Sequence, residues 1–298
     1  MKGLLRLLGL LPLRVQYVLG DGLAFLAEKV LRYRRDVVSA NLERCFPALS
    51  EQERRRISRD FYRHLGEIVA ETVWFGSCPG GKRLRRRRLV ELENPEVADR
   101  LFQGAPSLVL LTSHAGNWEL SGGILTYNYT DRPDPFTEQN YCVVYLRQSS
   151  EMWNDILRDN RTAPLADPAH FPGYLESREV VRYAFSHRDE KKVYNFITDQ
   201  HPYFSSVGTF DVDFFGQKVQ TMAGGASLAH KLGLAVAYAS MQRTARGRYV
   251  TRYTAICEDA STMEPQQIMQ RYYNLLEQDI RENPSNYLWT HRRFKRIT

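Results

Sequence analysis

The chain has 298 residues, 43% of them hydrophobic and 25% charged, which fits one α/β domain with a large core and room for a terminal appendage. Its formal net charge of +7 favours anionic partners: phospholipid surfaces, phosphorylated substrates or acidic carrier proteins. No zinc-finger spacing, RNP-like motif or recognition-helix pattern accompanies the charge, so nucleic acid is excluded as the expected partner.

Leu4 to Leu31 is rich in Leu and Val but is interrupted by Arg6, Pro12, Arg14, Gln16, Asp21 and Glu28. A spanning helix needs about 20 mostly apolar residues, and Arg14 and Asp21 near the middle make spanning costly. A secretory signal fits poorly, because no small-residue cleavage site follows the apolar stretch. Two readings remain. The helix lies in the bilayer interface with Arg6, Arg14, Arg32, Arg34 and Arg35 meeting lipid phosphates, or it packs on the protein's own core. Apolar bulk and the basic flank favour the first.

Ser50-Glu-Gln-Glu53 is a capping box that opens a helix to about Phe75, with Phe61, Leu65, Ile68, Val69, Thr72 and Val73 along one face. Cys78 to Gly81 ends it. The run from Lys82 to Arg88 then offers either a hold on an acidic carrier or anionic head groups, or a solvated helix face. Apolar runs at Leu108 to Leu111, Cys142 to Leu146, Val193 to Ile197 and Leu234 to Ala239 follow. They alternate with helical stretches near Leu120, at Met152 to Asp159, Leu175 to Phe185 and Ala223 to Leu232. This predicts an α/β fold with a mostly parallel central sheet flanked by helices. Tyr249 to Ile256 reads as a further strand, and Glu264 to Glu282 as a late helix before Pro284. Cys45, Cys78, Cys142 and Cys257 lack ligand or redox spacing and read as buried free thiols.

The stretch from Ser107 to Leu120, SLVLLTSHAGNWEL, carries the chemistry. Positions five apart on one helix point about 140° from each other. His114 and Glu119 therefore meet only if His114 closes a strand, Gly116-Asn117 breaks the chain, and Glu119 enters the first helical turn. The carboxylate then holds one ring nitrogen and leaves the other free as a general base, on an imidazole whose ordinary pKa is about 6.5. Ser113 points to the opposite strand face, so the simplest reaction is activation of a substrate hydroxyl for attack on an activated acyl group. The plain alternative is a core histidine beside an ordinary first-turn glutamate.

His114, Arg147 and Asp199 each follow an apolar run. Carboxyl ends of parallel strands share one edge, where ligands bind, so the three are expected to converge. Arg147 suits a phosphate or a thioester oxyanion, or else a surface ion pair, and Arg161 is a second candidate. Asp199-Gln200 can orient a base or arginine, bind sugar hydroxyls, or cap an element. Asn117 and Trp118 can shape an acyl entrance, with packing the favoured role for Trp118. Thr221 to Ala226 is a glycine turn whose helix amides can face an anion. The basic tail from His291 to Lys295, including Arg292, can meet phosphate or lipid head groups. His201 and His230 read as structural or surface residues.

In the context Thr112 to Leu120, the His114/Glu119 motif resembles the His-x4-Asp/Glu signature of glycerolipid acyltransferases, and specifically the lipid A biosynthesis (lauroyl/myristoyl) acyltransferase family. Arg34 to Ser50, Thr198 to Pro202 and Tyr287 to Lys295 are similar to further blocks of that family, in family order. The resemblance implies a glycerolipid acyltransferase-like fold, with a membrane-associated helical segment over 1–33 and a catalytic domain over 34–298. It implies catalysis by His114 and Glu119. Substrate binding is expected from an arginine in the Arg147 block, with Asn117, Arg161, Asp199, Gln200 and Arg292 as further candidates. It implies an acyl carrier protein (or acyl-CoA) thioester as co-substrate, with no metal or cofactor, and a lipid A precursor or other anionic glycolipid as acceptor. The expected location is the cytoplasmic face of the bacterial inner membrane. Rival readings are acylation of a lysophospholipid, aminolipid or phosphoinositol mannoside, a thioesterase, and a noncatalytic lipid-binding protein.

Overall fold

The amino-terminal apolar stretch breaks at Pro12 into helices α1 (Lys2–Leu10) and α2 (Leu13–Phe25), followed by a π-helical turn, Leu26–Val30. In the computed structural model, which describes residues 2–202 and 209–294, one face of this stretch packs on the protein's own core and the other is exposed. Leu13, Gln16, Tyr17, Gly20 and Ala24 recur at helical spacing and are buried on one face of α2. Val15, Val18, Leu19 and Leu23 are exposed on the other. No described helix is long and apolar enough to cross a membrane.

α3 (Arg35–Cys45) leads to α4 (Glu51–Phe75), which starts at the capping box and ends at Phe75, as expected. The Ser50 backbone N–H donates to Glu53 Oε2 at 2.7 Å, and the Glu53 N–H donates to Ser50 Oγ at 3.3 Å. The buried face differs from the expected one: Val69 is exposed, whereas His64, Glu67 and Glu71 are buried. α4 is covered from more than one side, and α2 crosses it with backbone against backbone. A Cβ on Gly20 would stand 2.5 Å from the Gly66 carbonyl oxygen. In α5 (Lys82–Arg87), Arg83 turns inward, donating to the Gly9 carbonyl at 3.1 Å and stacking over Trp74. Lys82 and Arg85 to Arg88 are exposed.

The remaining elements are β1 (Val90–Leu92), α6 (Pro95–Gly104), β2 (Leu108–Thr112), β3 (Tyr141–Tyr145), α7 (Glu151–Thr162), β4 (Tyr174–Glu176), α8 (Val180–Ser186), β5 (Val193–Ile197), β6 (Thr209–Phe214), β7 (Gln217–Met222), α9 (Gly224–Leu232), β8 (Ala235–Ala245), β9 (Arg248–Cys257) and α10 (Pro265–Glu282). Seven strands form one sheet in the order β1-β9-β8-β2-β5-β3-β4, parallel throughout except for β8 with β9. Val109 and Leu111 of β2 enter one core cluster with Tyr238 and Met269, while Leu108 and Leu110 enter another with Phe102 and Tyr249. Burial on both faces is why these strands read as continuous apolar runs rather than alternating ones.

Two elements depart from the expected order. Leu175 to Phe185 divides into β4 and α8. A hairpin, β6 with β7, precedes α9, turning at Phe215 and Gly216, both at positive φ. That two-residue turn matches the twist of its strands.

Candidate active site

β2 and β5 are parallel neighbours, and Thr112 pairs with Ile197. The residues two positions beyond each, His114 and Asp199, therefore stand side by side at the carboxyl edge of the sheet. His114 Nδ1 lies 2.7 Å from Asp199 Oδ1, and the His114 backbone N–H donates to the same oxygen at 3.1 Å. Burial alone would push the Asp199 carboxyl up. The charge of His114 and these hydrogen bonds outweigh it and hold the carboxyl below its ordinary range. With a carboxylate as the partner of Nδ1, that nitrogen carries the proton and Nε2 is the acceptor. Gln200 Nε2 sits 3.4 Å from His114 Nε2. The His114 side chain keeps 19% of its exposure, so the ring is not sealed inside the core.

The carboxyl-terminal block fixes this loop. The Leu288 N–H donates to the His114 carbonyl at 3.0 Å and the Gly116 N–H to the Asn286 carbonyl at 2.9 Å, on either side of an Ala115–Tyr287 bridge.

Glu119 does not hold the imidazole as expected; Asp199 does. Glu119 opens a 3₁₀ helix, Trp118–Thr126, and both of its oxygens are taken by Arg161, whose Nε and Nη2 each donate at 2.8 Å. Trp118 touches both parties, with its ring edge-on to His114 at 5.0 Å and its Nε1–H donating to Glu119 at 3.1 Å. Burial opposes ionisation of Glu119, but the Arg161 fork prevails and keeps the carboxyl below its usual range. The physical reason for the altered pairing is supply: a forked guanidinium satisfies both Glu119 oxygens, and β5 delivers a nearer acid to His114.

The other candidates separate. The Arg161 fork faces Glu119 rather than open solvent. Arg147 follows β3, which lies beyond β5 from β2, and is exposed, 2.7 Å from Glu151 and 3.9 Å from Glu176; it does not join His114. Asn117 is fully buried and donates to Glu71 at 2.9 Å, so it lines no open entrance. Arg292 is exposed, whereas its neighbour Arg293 is buried and donates to the Tyr273 hydroxyl at 2.7 Å. Lys295 lies outside the described residues. Under the motif, Leu110, Ile124, Tyr127, Met241 and Tyr253 help to line a cavity of about 20 Å³, room for a water-sized molecule but not for a hydrocarbon chain. The sequence offered no sign of Glu71, an acid hidden on a long amphipathic helix.

An imidazole backed by a buried acid at the rim of a parallel sheet has the geometry that a general base requires. The model of the bacterial lipid A biosynthesis acyltransferase family matches residues 1–152 and 181–296. A lauroyltransferase of lipid A biosynthesis from Escherichia coli (strain K12) is 26% identical over 307 residues, covering 98% of this chain and 89% of the relative. A palmitoleoyltransferase of lipid A biosynthesis from the same strain is 27% identical over 293 residues, covering 96% and 86%. A lipid A biosynthesis acyltransferase of Shigella flexneri matches to the same extent. The protein is thus an acyltransferase. It belongs to the bacterial lipid A biosynthesis acyltransferase family.

Proposed function

We propose that the protein moves a fatty acyl chain from an acyl carrier protein thioester to a hydroxyl of a lipid A precursor, with His114 as the base. The observation that carries this reading is the bond from His114 Nδ1 to buried Asp199, which leaves Nε2 as the proton acceptor of a partly exposed ring. Asp199 fixes the tautomer and steadies the imidazolium. The acceptor hydroxyl gives its proton to Nε2 while its oxygen bonds to the thioester carbonyl carbon. The tetrahedral intermediate then collapses, the carbon–sulfur bond breaks, and the proton on Nε2 passes to the departing thiolate. Glu119 and Arg161 hold the turn behind the base rather than the base itself.

The same reading places the protein on the cytoplasmic face of the inner membrane. Leu4, Leu7, Leu10, Val18 and Phe25 form part of an exposed apolar surface on α1 and α2, and Arg85 to Arg87 on α5 and Arg88 just after it are exposed. Apolar area together with exposed cations is the pattern that binds an anionic bilayer interface without crossing it.

Mass spectrometry of lipid A from a deletion strain tests the acceptor: loss of one acyl group is expected, and unchanged lipid A would turn the reading toward another lipid. Purified protein given the carrier thioester or acyl-CoA, with and without acceptor, distinguishes the donors. Free fatty acid as the sole product would identify a thioesterase instead.

A further inference from the structure

Glu71 is fully buried on α4, yet its carboxylate is shared among three separate elements. Oε1 accepts from the Tyr17 hydroxyl of α2 at 2.8 Å. Oε2 accepts from the Tyr249 hydroxyl of β9 at 2.7 Å and from Asn117 Nδ2 at 2.9 Å. Burying an acid is costly unless its oxygens are satisfied, and an ion pair is the usual remedy. The nearby cations go elsewhere: Arg243 and Arg246 both bind Glu67, one turn earlier on α4. The Glu71 oxygens therefore serve two phenols and an amide.

The amide matters most. Asn117 lies between His114 and Glu119 and is fully buried, and its Oδ1 has no hydrogen-bond partner among the described residues. The bond to Glu71 is what anchors its side chain. The phenol of Tyr17 reaches the same carboxylate from a helix whose other face is apolar and exposed. α2 is seated by the Gly20–Gly66 contact and by Asp21, which accepts from Arg246 Nη2 at 2.6 Å.

We propose that Glu71 is a positioning residue for the acyl-transfer site: through Asn117 it sets the turn between His114 and Glu119, and through Tyr17 it ties that turn to the seating of α2. The inference rests on the acyl-transfer reading of the site. A purely space-filling role would need neither the amide nor the phenol at the same carboxylate.

The test uses the full chain in detergent micelles, with Tyr17→Phe, Glu71→Gln and the control Tyr62→Phe. The Tyr62 hydroxyl donates from α4 to the Tyr33 carbonyl at 2.6 Å and makes no hydrogen bond to residues 114–119 among the described residues. Hydrogen exchange of residues 114–121 is read by mass spectrometry, together with transfer of a lauroyl chain from acyl carrier protein to purified lipid A precursor. Tyr17→Phe and Glu71→Gln are each expected to speed exchange in 114–121 at least fivefold while residues 108–112 keep their rate. Each should lower kcat at least tenfold with the KM for the donor within twofold. Tyr62→Phe should match wild type. Wild-type exchange in 114–121 for both variants, or the same acceleration in Tyr62→Phe, overturns the proposal. If the wild type makes no acylated lipid, the functional reading fails, and the exchange ratio alone still decides the positioning role.

Discussion

His114 and Asp199 are 85 residues apart in the chain, yet a single carboxylate oxygen of Asp199 accepts from both the ring and the backbone of His114. One oxygen thus fixes where the imidazole sits and which nitrogen is protonated. Asp199→Asn keeps the shape but can present its amide N–H to Nδ1, favouring the wrong tautomer. It is expected to lower kcat by about 10²- to 10⁴-fold, with His114→Ala at least as severe, while circular dichroism stays native. Full transfer by purified Asp199→Asn protein would remove Asp199 from the mechanism.

The same pair makes stability depend on pH. The Asp199 carboxyl is held below its ordinary value in the fold, so its contribution is complete above about pH 4, the unfolded value. It is lost as pH falls through the lower folded value. Urea unfolding of the wild type should weaken more steeply across that acid range than unfolding of Asp199→Asn. Parallel slopes would contradict the pairing.

Glu119 and Arg161 form a largely buried pair, with side-chain exposures of 10% and 19%. Removing one member leaves the other charge stranded, so Arg161→Met is expected to cost about 3 kcal/mol of stability. The double change with Glu119→Leu should recover much of it, read as the urea midpoint at constant slope. Arg147 gives the contrast: it and Glu151 are exposed and Glu176 lies 3.9 Å away, so Arg147→Ala should shift stability by less than about 1 kcal/mol.

The outer face of the amino-terminal helices is open to a direct binding measurement. Leu7 is 65% exposed and Val18 is 70% exposed, so replacing both with Glu should leave the thermal midpoint nearly unchanged. Co-sedimentation with vesicles containing anionic phospholipid should fall severalfold. Unchanged sedimentation would assign bilayer binding to another surface.

Much of this molecule was readable from local patterns. The helix from Glu51 to Phe75 announces itself by its capping box, and the core strands by Leu- and Val-rich runs. The convergence of His114 and Asp199 followed from strand ends sharing one edge. Arg147 did not follow, because strand order is a long-range property and β5 intervenes between β2 and β3. Glu119 pairs with Arg161 rather than with His114 for a related reason. Spacing shows which residues can meet, but not that Arg161, 42 positions later, outcompetes the imidazole for the carboxylate. The β6–β7 hairpin was missed because Thr209 to Met222 mixes charged and apolar residues, and its turn is marked mainly by one glycine, Gly216.

The contact between Gly20 and Gly66 also bears on how this protein is handled. Trimming α1 and α2 to obtain a tractable fragment would uncover Ala70, Trp74 and the carboxylate of Glu71 on α4, trading one sticky surface for a worse one. Rewriting the outward Leu and Val side chains, with both glycines untouched, is the route to a well-behaved preparation.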